Sequence, residues 1–137
     1  MKNIILFFMF VIFSGGAAAE WTILASDTVR TEGVDAGRGF KSFIDKKTIT
    51  KNGDRATMWS LADYESPIDV GGKKQLSSKS LEEYDCRNKE FRTLAFYWFS
   101  RHQAKGDVVY SENAPGKMQP IVKGSITEKA GNAACGK

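Results

Sequence analysis

The sequence predicts an α+β fold: an antiparallel β-sheet of about six strands and one C-terminal α-helix tied to the sheet by a disulfide. Three observations carry that prediction. Asn52–Gly53 stands between two β-branched and aromatic runs, where the pair can take the positive-φ positions of a type I′ hairpin turn. The stretch "TLAFYWFSR", Thr93 to Arg101, sets four aromatic side chains in succession, a composition that favours strand. The stretch "SITEKAGNAAC" places Ser125 and Glu128 at capping-box spacing and continues with small residues compatible with helix.

Residues 1–19 read as a secretory signal peptide. Lys2 gives a positive start, Ile4 to Phe13 an apolar run of ten, and Ala17 and Ala19 stand at −3 and −1 of a cut before Glu20. Ten apolar residues fall short of the roughly 18 that a spanning helix needs. The cut region carries no cysteine to take a lipid, so no stable membrane anchor is expected. The short, lightly charged start suits bacterial export, to the periplasm or beyond it. The remaining 118 residues, 20–137, are expected to form one domain with a single modest core. Without Lys2 the net charge is +3, a mild basicity that weakly favours lipopolysaccharide, sulfated glycans or acidic proteins. The basic residues are scattered, which argues against a nucleic-acid partner.

The elements follow in order. "EWTILASD", Glu20 to Asp27, alternates with Trp21 and Ile23 on one side and reads as a strand. Arg30 to Gly39, with three glycines, reads as a loop, and Phe40 to Asp45 as a second strand. Thr48–Lys51 pairs with Arg55–Tyr64 in the hairpin. Glu65 to Gln75, with Pro67 and Gly71–Gly72, reads as a turn or loop. Ser80 to Trp98 fits two periods. Leu81, Tyr84, Phe91, Leu94 and Trp98 recur at helical spacing, with Ser80 and Glu83 as a capping box. Thr93 and the aromatic run favour strand instead, with Cys86 to Glu90 as a turn between two strands. Val108–Ser111 reads as a short strand after a turn at Gly106–Asp107, and Ala114–Pro120 as a loop. A helix is expected from about Ile126 to Cys135, weakened by Gly131.

Cys86 and Cys135 are the two cysteines, and in an exported domain they are expected to pair. The predicted helix is too short and too thinly apolar to stand alone. A disulfide at Cys135 would hold it over one face of the sheet, with the aromatic strand beneath. Phe96 and Trp98 then face one way and Tyr97 and Phe99 the other. The second face needs cover from the Arg30–Gly39 loop, from a partner or from a second copy in a homodimer.

No catalytic constellation is expected. His102 is the single histidine, and Ser100 or Ser111 with Asp107 completes a Ser-His-Asp set in composition only. No Gly-x-Ser-x-Gly elbow is present, and Gly37–Phe40 and Gly71–Gly72 lack phosphate-loop spacing. Glu82, Glu83 and Asp85 read as a solvated turn or strand end. Two distant cysteines and one histidine make no metal set. No enzyme activity, cofactor or metal is therefore expected. Lys105–Gly106–Asp107 reads as turn chemistry. Lys46, Lys47, Lys51 and Arg55 form the densest basic set, a guarded strand edge or an anion-binding stripe.

The order of short motifs carries a further signal. "WTIL" is followed by "FIDKKTITKNG", "MWSLADY", "SSKS", "DC", "YWFS", "GDVVYS" and a closing "GSITE" before the last cysteine. From about Trp21 to Cys135 the chain resembles the surface-adhesin protein E family of Gram-negative bacteria. The resemblance implies an antiparallel sheet with a C-terminal helix joined to it through Cys86 and Cys135, and it reads Ser80–Trp98 as strands. It also implies a non-catalytic, exported binding protein, because founding members sit on the bacterial surface and bind host extracellular-matrix and serum proteins. Three departures stand out. Lys123–Gly124–Ser125 replaces the usual Pro-Gly-Ser; Met118 and Gln119 stand near where a tryptophan is expected; and the lipid-attachment cysteine is absent. No binding residue carries over. The alternative is a periplasmic envelope protein, an inhibitor or stress factor with an internal protein partner.

Overall fold

The computed structural model describes residues 18–27 and 39–137. The expected signal peptide up to Ala17 and the loop from Arg30 to Arg38 lie outside the described residues. The strands are β1 (Thr22–Asp27), β2 (Phe40–Asn52), β3 (Arg55–Val70), β4 (Lys73–Asp85), β5 (Glu90–Phe99), β6 (Val108–Glu112) and β7 (Gln119–Pro120), followed by helix α1 (Ile126–Cys135). The first six pair in chain order as an antiparallel meander, and the two-residue β7 joins β5 beside β6. Ser80–Trp98 is strand on both sides of a turn at Cys86–Lys89, as the resemblance implied.

Turn chemistry sets the strand lengths. The first hairpin forms where expected, but Asn52 pairs with Arg55, so the turn is Gly53–Asp54 and the positive φ falls on Gly53 alone. That is the requirement of a type II′ turn rather than I′. Glu65–Gln75 is not a loop. β3 runs on to Val70 and β4 starts at Lys73, around Gly71 and Gly72 at φ 60° and 81°. Two adjacent glycines at positive φ make a turn so tight that both strands continue to its rim. Pro67, which has no N–H to give, falls in the register shift between Asp63 and Ile68, where no ladder bond is lost.

The main core lies between α1 and one face of the sheet, while Leu61 of β3 is fully buried on the other face. Ile44 of β2, Ala56 and Met58 of β3 and Tyr84 of β4 are buried against Ala130 and Ala134 of the helix. Burial, with Glu82 nearby, pushes the Tyr84 phenol well above its usual range. Gly131 has a packing reason to stand within the helix: a Cβ there would stand 3.1 Å from Tyr84 Cδ1. Ser125 Oγ accepts from the Glu128 N–H at 3.1 Å, and Glu128 Oε1 accepts from the Gly124 N–H at 3.2 Å. The helix ends on Gly136 at φ 74°, whose N–H reaches the Ala133 carbonyl while that of Lys137 reaches Asn132, a Schellman closure.

The Cys86–Cys135 disulfide joins the last residue of α1 to the turn after β4. That turn is itself fixed by Asp85. Its carboxylate accepts from the N–H of Asn88 at 2.9 Å, the N–H of Arg87 at 3.1 Å and Asn88 Nδ2 at 3.1 Å. The Asn88 amide first, then its side chain, Arg87 and the charge of Arg55, hold the Asp85 carboxyl below the ordinary range.

The aromatic strand is not beneath the helix. α1 packs on β1 to β4, and of β5 only Phe91 joins its core. Length explains the difference. A ten-residue helix spans about 15 Å, while the sixteen residues of β3 extend about 50 Å. The helix covers one end of one face, and Phe96–Phe99 lie beyond it.

Two stability results follow. Replacing both cysteines, Cys86→Ser with Cys135→Ser, should lower the unfolding free energy by about 4 kcal/mol in urea titrations, with the helix signal lost first. An unchanged midpoint would show that the helix docks without the bond. The Asp85 carboxyl titrates lower in the folded than in the unfolded chain, so its contribution is present above pH about 4 and fades as pH falls through the folded value. Asp85→Asn should therefore be less stable at neutral pH and flatter in its acid loss. Parallel stability–pH curves for the two proteins would contradict this role.

Candidate functional site: an aromatic sheet face and its loop

Residues opposite each other across the strands share a face, so the register divides the aromatic run. Phe96 and Trp98 lie on the helix side, beyond α1, and cluster with Tyr110 of β6 at centroid distances of 5.9, 5.8 and 4.9 Å. Tyr97 lies on the other face beside Trp59 of β3 at 6.2 Å, and Lys79 of β4 holds its ammonium 4.4 Å from the Trp59 ring centre. Leu81 stands between Trp59 and Ala95 in the same row. These side chains are half-buried and no described helix or strand packs over them, although Leu61, in the row of Lys79 and Tyr97, is fully buried. Below them Glu83 Oε1 accepts from Arg55 at 3.0 Å and from Arg92 at 2.8 Å.

The loop between β5 and β6 closes the far end of this second face. Ser77 is fully buried; its Oγ donates to the Arg101 carbonyl at 2.5 Å and accepts the Ala104 N–H at 2.9 Å. Asp63, its cross-strand partner, accepts from Gln103 Nε2 at 2.7 Å and is hydrogen-bonded to His102 Nδ1 at 2.8 Å. Gln103 and Ala104 both lie in the left-handed region, at φ 59° and 56°. Gly106, at φ 80°, leaves no room for a Cβ beside Ser100 Oγ. The turn lies at Gln103–Ala104, closed by the Lys105 N–H on the His102 carbonyl at 3.2 Å, one step before the expected Lys105–Gly106–Asp107, where the chain only bends at Gly106 and Ser100 Oγ accepts the Asp107 N–H at 2.9 Å.

The catalytic candidates do not converge. His102 is bonded to Asp63 rather than to Asp107, and the Ser100 hydroxyl oxygen is taken by a backbone N–H. The three carboxylates near the β4 end point apart. Glu83 serves two arginines, and Asp85 serves the turn. Glu82 lies on the helix side, where burial pushes its carboxyl above the ordinary range and the Thr93 hydroxyl, donating at 2.8 Å, opposes that shift. Glu82 is half-buried rather than solvated, because its row mate is Met58 in the core. The described residues contain no group of three His, Cys, Asp or Glu side chains that could hold a metal. The basic set is dispersed too: Lys47 pairs with Glu20, Lys51 donates to the Cys135 carbonyl, and Arg55 pairs with Glu83. What sequence reading missed is the placement of Lys79 over Trp59 and the pinning of the loop by Ser77 and Asp63. Both depend on register between strands, which no local pattern in the sequence specifies.

Comparison with known proteins agrees with this architecture. The family model described as surface-adhesin protein E matches residues 29–136. A crystal form II structure of Haemophilus influenzae protein E is similar with a TM-score of 0.58 and 11% identity, covering 84% of this chain and 96% of that one. A second structure of Haemophilus influenzae protein E gives a TM-score of 0.57 at 11% identity, covering 85% and 93%. At that identity the likeness shows the fold. No curated protein matches by sequence. The match across residues 29–136 places the chain in the surface-adhesin protein E family.

Proposed function

We propose that this chain is exported by its first 19 residues and binds host extracellular-matrix or serum proteins through the open sheet face, without catalysis. One observation carries the reading: Trp59 and Tyr97 lie side by side, capped by Lys79, half-buried on a face over which no described helix or strand packs. Large amphipathic rings at the centre of a flat patch, with charged groups around it, are the composition of a protein-binding surface. The family supports an adhesin-like role outside the cytoplasm. No helix among the described residues is long and apolar enough to cross a membrane.

The test is binding of residues 20–137 to a panel of immobilised matrix and serum proteins at physiological salt. Saturable binding to at least one is expected, and Trp59→Ala or Tyr97→Ala should weaken it about tenfold or more, the loss typical of a central aromatic anchor. Val122→Ser, at an exposed site before the helix, should change nothing. Absence of saturable binding to every protein at micromolar concentration would contradict the proposal.

A further inference from the structure

The β5–β6 loop is built more firmly than a connection requires. A left-handed residue other than glycine costs roughly 1 kcal/mol or more, and here two stand in succession at Gln103 and Ala104. Such a conformation persists only where its surroundings over-determine it. Ser77 and Asp63 do so from beneath, with four hydrogen bonds between them to residues Arg101, His102, Gln103 and Ala104. A shorter or glycine-rich turn would join β5 to β6 without this arrangement. What the arrangement achieves is to hold Arg101, His102 and Lys105 exposed in one fixed loop at the rim of the aromatic face.

The charges say what that rim fits. Among the described residues neither Arg101 nor Lys105 forms an ion pair, and Asp107 is the one exposed carboxylate in the loop. Of the other cations on the face, Arg55 and Arg92 share Glu83 and Lys79 lies over Trp59, while exposed Lys41, in the row of Asp63 and Ser77 beneath the loop, is in no ion pair among the described residues. The cations without ion pairs among the described residues are therefore grouped at one end of the face, by the loop, and not spread along it as a repeating polyanion such as a sulfated glycan would need. It offers an apolar aromatic centre with three cations at one end, Arg101, Lys105 and Lys41, that form no ion pair among the described residues. A protein surface with an apolar patch bordered by carboxylates is complementary to both features.

We infer that the Ser100–Asp107 loop is a preformed recognition element that docks an acidic segment of a protein partner, with Ser77 and Asp63 as its positioning residues. The inference rests on the proposed binding role of the same face. Preorganisation matters because a loop already ordered loses little entropy on binding.

The experiment uses residues 20–137 with poly-L-glutamate as the acidic-polypeptide probe and heparin as the competing polyanion, alongside the matrix and serum panel. Poly-L-glutamate should bind at physiological salt, more tightly at low salt. The exposed double variant Arg101→Gln/Lys105→Gln should weaken binding about tenfold, both to the probe and to whichever panel protein binds. Ser77→Ala keeps both cations, yet it should weaken binding comparably and speed hydrogen exchange at the Ala104 amide. Binding unchanged in either variant would overturn the inference. So would equal, loop-dependent binding of heparin, which would assign the loop to anionic glycans, and so would no binding of poly-L-glutamate. If the double variant still binds the panel protein, the adhesin reading survives and the loop inference falls; if no panel protein binds wild type, the adhesin reading falls.

Discussion

The constraint on which the rest depends is a mismatch between one short helix and a much longer sheet. α1 has ten residues and an apolar face built mostly from alanines, so it carries little stability of its own. It is held from both ends: the Ser125 cap at the start, and at the finish the bond from Cys135 to a turn that Asp85 has already ordered. Held there, it buries Tyr84, Met58 and Ile44, and Gly131 lets it approach closely enough to do so. The main hydrophobic core of the described chain is therefore compact and lies at one end of the sheet, with Leu61 buried apart from it on the other face.

What the helix does not reach determines what the protein can do. The aromatic run of β5 extends past the core, and the meander presents it on two faces. On the helix side Phe96, Trp98 and Tyr110 pack on one another. On the other side Trp59 and Tyr97 lie together with the Lys79 ammonium over the Trp59 ring, and no described helix or strand packs on them. A lysine over an indole ring is a modest interaction at a half-exposed site. The loop at the rim is the opposite kind of feature, rigid and expensive to form, and its strain is held by a serine and an aspartate beneath it.

Much of the fold was legible in the sequence. The first hairpin, the C-terminal helix and the pairing of the cysteines follow from turn residues, capping spacing and compartment, whereas periodicity leaves the two strands around Cys86 open and the resemblance supplies them. The failures share a cause. Asn-Gly suggested a I′ turn, but cross-strand pairing of Asn52 with Arg55 moved the turn by one residue. Pro67 and Gly71–Gly72 suggested a loop, where the sheet instead absorbed the proline in a register shift. The site was less legible still. The aromatic residues were visible as a run, but which of them share a face with Lys79, and which side chains pin the β5–β6 loop, are decided by pairing between strands far apart in sequence.

The central claim is that Trp59 and Tyr97 form an open face while Tyr84 and Met58 form the closed core. Hydroxyl-radical footprinting of the free protein in its oxidised form measures both at once. Rapid modification of Trp59 and Tyr97 with protection of Tyr84 and Met58 is the predicted result. Protection of Trp59 and Tyr97 equal to that of Tyr84 would mean that the face is already covered in the free protein, and would contradict the account.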